Sequence, residues 1–170
     1  MTSMANRELS KAEWLSKAEA YCARAEHCAA DVRRKLFEWG APSKTADFSP
    51  ADRLDLFDFI EQKLRENDFI NDTRFCRAYV HDKVEYQAWG RLKIKAGLQA
   101  LQLPDSAIRD ALDSIDESKY FANLRYLIEQ HRPASSDKAK AKANAKDSED
   151  KLLRFLLQRG FTYDEIKSKQ

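Results

Sequence analysis

An all-α protein, arranged as an extended tandem array of three three-helix repeats, is the fold class that this 170-residue sequence predicts. Two observations carry that expectation. The first is composition. Only four glycines and four prolines stand among abundant Ala, Leu, Lys, Glu and Arg, with few β-branched runs, a mixture that favours helix over sheet. The second is a recurring register. Val32-x-x-x-Leu36-x-x-Trp39-Gly40-Ala41 aligns with Ile94-x-x-x-Leu98-x-x-Leu101-Gln102-Leu103, and again with Leu152-x-x-x-Leu156-x-x-Arg159-Gly160-Phe161. Apolar residues at i and i+4 lead to a third position at i+7 and a helix stop at i+8. The copies lie about 60 residues apart, the signature of units that bury their faces against neighbours.

Repeat one is expected over residues 9–67. Ser10 opens its first helix with Glu13 three residues on, a capping box in which each side chain satisfies the other's backbone N–H. That helix presents Trp14, Ala18, Tyr21, Cys22 and Ala25. His27-Cys28 marks a break, and the second helix ends at Gly40 with Pro42 just beyond. After a polar loop to Phe48, Ser49 is placed to cap a third helix with Pro50 in its first turn. Leu54, Leu56, Phe57, Phe59, Ile60 and Leu64 cover more than one stripe of that helix, which predicts packing on two sides.

Repeat two is expected over 68–115. A helix runs from about Asn71 to Tyr86, capped by Asn71 or Asp72, and a second from about Arg91 to Leu101. Phe75, Tyr79, Lys83 and Tyr86 fall on one side of the first, while Arg74, Arg77 and His81 line the opposite side. Pro104-Asp105 starts a third helix with Ile108, Leu112 and Ile115. Repeat three, over 116–170, opens on Tyr120-Phe121-x-x-Leu124-x-x-Leu127. A Lys/Ala-rich linker at about 132–147 has no apolar face and reads as solvated chain or a helix extension. Thr162 and Glu165 form a second capping box.

The run Asn71-Asp72-x-Arg74-Phe75, followed by Gly90-x-x-Lys93-Ile94-x-x-x-Leu98, resembles the central signature of the RecX proteins, bacterial modulators of the RecA recombinase. Tyr21 with Asp31-Val32-Arg33-Arg34-Lys35-Leu36-x-x-x-Gly40 resembles that family's first segment, and Phe155-Leu156-x-x-Arg159-Gly160-Phe161 with Ile166 its last. The ordered set, from about Leu9 onward, is more specific than any one motif. The resemblance implies a non-enzymatic regulator in homologous recombination, DNA repair and the SOS response. Such a protein binds along the groove of the RecA filament on single-stranded DNA and mostly inhibits its ATPase, recombinase and coprotease activities. Two departures stand out: Gly97 where the family usually has an acidic residue, and Gln102 in place of the usual glycine. The second predicts a central turn of different construction.

A formal charge of +2 excludes a polycation, so any acidic partner must be met by local charge distribution. No apolar run reaches transmembrane length, and the start lacks the apolar segment of a secretory signal; a monomeric, cytoplasmic protein is expected. Cys22, Cys28 and Cys76 form no CxxC pair, and Cys22 and Cys76 sit on core faces. The spacing of Cys22, His27 and Cys28 matches no common zinc pattern, so no metal is expected. Cys76 and His81 point to different sides of one helix, no phosphate loop, GxSxG or HExxH occurs, and neither catalysis nor a cofactor is expected. The cations carry the functional signal. Arg33 and Lys95 are equivalent in successive repeats, and with Arg34, Lys35, Arg74, Arg77, Arg91 and Lys93 they form the predicted surface for a RecA filament or DNA. Trp39, Trp89 and Tyr86 interleave with that set, Trp39 being read as core. The alternative is a helical DNA-binding protein that contacts phosphates directly through this basic face.

Overall fold

The computed structural model describes residues 9–40, 50–131 and 141–169, and among them the secondary structure is entirely helical. The chain divides into two compact units, Met1–Phe75 and Cys76–Gln170.

In the first unit, α1 (Lys11–Cys22), α2 (Ala29–Glu38) and α3 (Pro50–Glu66) pack together, with α1 against both others. The Ser10–Glu13 capping box starts α1, and Trp14, Ala18 and Cys22 form its buried stripe. They meet Val32 and Leu36 of α2 and Leu56, Phe57, Ile60 and Leu64 of α3, with Ile70 closing the cluster. Only one face of α3 is buried. Leu54 is exposed and Phe59 half-buried, so the expected two-sided packing does not appear within this unit. Ala25 is also exposed, because α1 has already ended at Cys22. The expected cap Ser49 lies outside the described residues.

The helix α4 (Asp72–Glu85) crosses the division between the units. Asn71 caps it: its side-chain oxygen accepts the Arg74 backbone N–H at 3.1 Å. In the second unit follow α5 (Arg91–Ala100), α6 (Asp105–Asp113), α7 (Glu117–His131), α8 (Ala141–Gln158) and α9 (Tyr163–Lys167). α8 begins at Ala141, so the second half of the Lys/Ala-rich segment is helical, whereas residues 132–140 lie outside the described residues. The Thr162–Glu165 capping box starts α9. Tyr86, assigned to an apolar side by the helix wheel, is 79% exposed: α4 stops at Glu85 and the chain turns before the tyrosine can be covered.

The repeated register is visible in the helix ends. Leu36, Leu98 and Leu156 are each fully buried, and Val32, Ile94 and Leu152 are buried at 2%, 0% and 8% exposure. Gly40, Gln102 and Gly160, at the i+8 position, all take left-handed backbone angles, with φ of 81°, 57° and 91°. After α5, Gln102 N–H donates to the Gln99 carbonyl at 2.9 Å and Leu103 N–H to that of Leu98 at 3.5 Å. After α8, Gly160 donates to Leu157 and Phe161 to Leu156 in the same pattern. The central turn is therefore built as the glycine turn is, with glutamine bearing the steric cost of positive φ; a polar, unbranched side chain exposed to water has room to do so.

Candidate partner-binding surface

Most of the cations singled out from the sequence are held by carboxylates. Arg33 donates through Nε and Nη2 to Glu61 at 3.0 and 2.7 Å, and through Nη2 to Asp58 at 2.7 Å. Its neighbours on α2 pair locally, Arg34 with Asp31 at 2.8 Å and Lys35 with Glu38 at 2.8 Å. Arg74 bridges Glu26 at 2.6 Å and Asp68 at 2.8 Å, and donates also to the Asp68 carbonyl. Donation by Asn71 and then Arg74 keeps the Asp68 carboxyl below its usual range. Arg33 and Arg74 thus tie together distant parts of the first unit's chain.

In the second unit Arg91 is bound by Glu165 at 3.0 Å and by Glu117, and its guanidinium stacks 4.2 Å from the Tyr120 ring centre. Arg77, Lys93 and Lys95 have no carboxylate partner among the described residues. Arg77 and Lys95 are exposed. Arg77 rims a cleft of about 180 Å³ whose floor is Val80, Val84 and Ile115 and whose edge carries His81, Glu85 and Lys119. Equivalent places in the repeat thus differ in chemistry, Arg33 being paired and Lys95 free of carboxylates.

Beside α5 lies a second arrangement. Gly90 N–H donates to the Arg159 carbonyl at 2.8 Å, Leu92 N–H to the Gly160 carbonyl at 3.1 Å, and Arg91 N–H to the Tyr120 hydroxyl at 3.1 Å. Three of the free N–H groups that every helix start carries are satisfied this way by the turn after α8 and by α7. Tyr120 in turn donates to Glu165 at 3.3 Å, the carboxylate of the α9 capping box, and burial pushes its phenol pKa up.

Directly preceding this junction is the turn Gln87-Ala88-Trp89, with Ala88 at φ 48°. The ammonium groups of Lys83 and Lys93 lie 4.8 and 4.4 Å from the Trp89 ring centre, and Lys83 is also 4.9 Å from that of Tyr79. Gly97 makes room for the Tyr79 hydroxyl: a side chain there would overlap it. Arg159 donates to the Gln87 carbonyl at 2.7 Å. Lys83, Lys93 and Arg159 have no carboxylate partner among the described residues. A cation over a half-buried ring gains on the order of 1 kcal/mol, which leaves the charge itself uncompensated.

Lys83 and Arg159 were not singled out by sequence reasoning, although signals existed. Lys83 is the one cation on the aromatic side of α4, which also carries Asp82, and Arg159 occupies the repeat position where Trp39 and Leu101 stand. Among the described residues no group of three or more His, Cys, Asp and Glu is placed to hold a metal ion. Cys22 and Cys28 are buried, which pushes their thiols up to about 11, and His27 stacks on Tyr21 with ring centres 3.9 Å apart. Cys76 is fully buried while His81, on the same helix, is exposed. No helix among the described residues is long and apolar enough to cross a membrane.

The fold and these junctions define an all-α protein of capped helical units ended by left-handed turns. Residues 71–112, spanning α4, α5 and nearly all of α6, match the profile of the second three-helix domain of RecX. The chain is 35% identical over 107 residues to a Regulatory protein RecX of Clostridium acetobutylicum, covering 61% of this chain and 47% of that one. It is 27% identical over 148 residues to one of Geobacillus kaustophilus, covering 86% of this chain and 48% of the relative. The chain thus spans about half the length of these relatives. Its fold is similar to that of the crystal structure of RecX from Lactobacillus salivarius, with a TM-score of 0.66 at 20% identity over 94% of this chain and 93% of that one.

Proposed function

We propose that this protein is a non-enzymatic, monomeric, cytoplasmic regulator that binds the RecA filament on single-stranded DNA and mostly inhibits its ATPase, recombinase and coprotease activities. The observation that carries this reading is the match of α4–α6 to the second three-helix domain of RecX. The names of the relatives, each a regulatory protein, support it further. Residues 9–67, 68–115 and 116–170 serve as three repeats, and the equal burial of Leu36, Leu98 and Leu156 supports that division. Several modest contacts in fixed register, each too weak alone, combine through effective concentration and so favour an assembled filament over a free subunit.

In this reading Arg33, Arg34, Lys35, Arg74, Arg77, Arg91, Lys93 and Lys95 divide into two jobs. Those with carboxylate partners hold the helices in the geometry that binds. Arg77, Lys93 and Lys95 supply charge to the partner. The test is RecA-dependent ATP hydrolysis on single-stranded DNA, titrated with this protein. Substoichiometric protein is expected to slow hydrolysis, because blocking a polymer affects many protomers per bound molecule. Unchanged hydrolysis at saturating folded protein would overturn the reading.

A further inference from the structure

We infer that the turn at Tyr86–Trp89, with Lys83, Lys93 and Arg159 around it, is a contact site for single-stranded nucleic acid, the cations meeting phosphates and Tyr86 stacking on a base. The inference deepens the filament reading and rests on it for its biological setting, but it concerns bare strand and needs no recombinase.

Three features carry it. The first is charge. Two ammonium groups within 5 Å of one indole, with a guanidinium anchored to the same turn through the Gln87 carbonyl, make a cluster without a carboxylate partner among the described residues. Like charges held together in this way call for an anion from outside. The second is the contrast with Arg33, Arg74 and Arg91, whose carboxylates leave little net charge to offer.

The third is Tyr86, which decides between nucleic acid and an acidic protein segment. It stands three residues after Lys83 and so on the same side of the chain's last helical turn, held by its N–H donating to the Asp82 carbonyl at 3.0 Å. The residue is 79% exposed, and the ring contact it makes among the described residues is with the edge of His81, ring centres 6.4 Å apart. A flat, exposed ring beside cations suits a base next to its phosphates. A carboxylate side chain gains little from it. Stacking requires an unstacked base, which points to a single strand rather than a duplex. Trp89 is half-buried beneath its two lysines and serves as their platform, not as a stacking surface.

The test is fluorescence anisotropy of a labelled oligothymidylate against salt, with the wild-type chain, the double variant Lys83→Gln/Lys93→Gln, and Tyr86→Ala. Arg159 is left in place because it holds the Gln87 carbonyl. The double variant is expected to bind about tenfold more weakly with a salt slope shallower by about 1.4, the value for two single-strand phosphate contacts. Tyr86→Ala is expected to lose about fivefold or more on the oligonucleotide and nothing on a poly-glutamate peptide. Because Tyr86 is exposed, that variant reads the site even if the double variant loses its fold. Oligonucleotide binding and slope unchanged in the double variant would overturn the inference. So would Tyr86→Ala binding the oligonucleotide normally while poly-glutamate competes for the site, which assigns it to an acidic protein. Oligonucleotide binding retained alongside unchanged RecA ATPase would sink the filament reading alone.

Discussion

Gly90 and Gly160 meet backbone to backbone. A methyl group on either would overlap the other's turn: at Gly90 it meets the Gly160 carbonyl, at Gly160 the Lys93 backbone and Cβ. The closeness allows the carbonyls of Arg159 and Gly160 to cap the start of α5, joining the central repeated helix to the last one. Gly90→Ala should cost about 2 kcal/mol or more, since two hydrogen bonds of about 1 kcal/mol each stretch as the turn retreats. Gly160→Ala adds the strain of φ 91° and should cost more. Chemical denaturation of each variant measures this. A Gly90→Ala midpoint equal to the parent's would show that the junction gives way freely.

Leu36, Leu98 and Leu156 are each 0% exposed at the same place in the repeated register. Truncating any of them to Ala should cost ~2–5 kcal/mol, through lost transfer energy and the cavity left behind. Leu98 should cost at least as much as the others, because α5 is also tied to the turn after α8 by the hydrogen bonds at its start. Thermal melts of the three variants check the ranking. A Leu98→Ala protein that melts with the parent would refute the register.

Helix starts and stops were legible because they are local. Ser10 with Glu13, Thr162 with Glu165, and the stops at Gly40 and Gly160 each involve residues within a turn or so of one another. The apolar stripes were legible for the same reason, since period alone places Leu36, Leu98 and Leu156. Partners distant in sequence were not. Nothing near Arg33 announces that Asp58 and Glu61 will bind it, and nothing near Arg91 announces Glu165. A cation on a helix face reads the same whether it awaits a partner or already has one. Leu54 and Tyr86 misled in the opposite sense, because an apolar residue at a helical spacing carries no record of where the neighbouring helix ends.

His27 gives the first unit a pH dependence of known sign. Burial, foremost, holds its imidazole below the ordinary value of 6.5, with Arg34 adding to this and Asp31 and Glu26 opposing it. Between the lowered folded value and 6.5 the unfolded chain binds more protons than the folded one, so stability rises with pH. His27's contribution is thus fully present above about pH 6.5 and is lost as pH falls through the folded value. Glu38, Glu66 and Asp68, all held below their usual ranges by hydrogen-bond donors, lose theirs only in the carboxylate range further down. Melts from pH 7.5 to 5.5 should therefore fall for the parent and fall less for His27→Gln. Equal slopes would place the dependence elsewhere.

Arg91 should behave as a structural residue despite its charge. Two carboxylates and the Tyr120 ring hold it, and Glu165 is simultaneously the α9 cap. Arg91→Gln is expected to lower stability by about 1–2 kcal/mol, from a half-buried ion pair and a cation–ring contact. Urea unfolding at low and high salt tests it. A variant as stable as the parent would return Arg91 to the set available for a partner.

The sharpest functional comparison is between cations that are held and cations that are not. Arg77 and Lys95 are exposed and have no carboxylate partner among the described residues, so Arg77→Ala/Lys95→Ala should leave stability within about 0.5 kcal/mol of the parent. Their charge is then available to a filament, and the double variant should need more protein to slow RecA-dependent ATP hydrolysis. The shift should shrink as salt rises, since exposed charges are screened over about 8–10 Å at moderate ionic strength. Arg109 and Arg125, exposed on α6 and α7, provide the charge-matched control. Arg33→Ala forms the opposite arm. Removing it leaves Asp58 and Glu61 without their guanidinium, so any loss of inhibition should track a fall in melting temperature. If Arg109→Ala/Arg125→Ala weakens inhibition as much as Arg77→Ala/Lys95→Ala does, the contact is diffuse charge. If neither pair matters while the Tyr86 and Lys83/Lys93 variants do, the working surface lies at the turn before α5 and the repeated basic positions have a structural role alone.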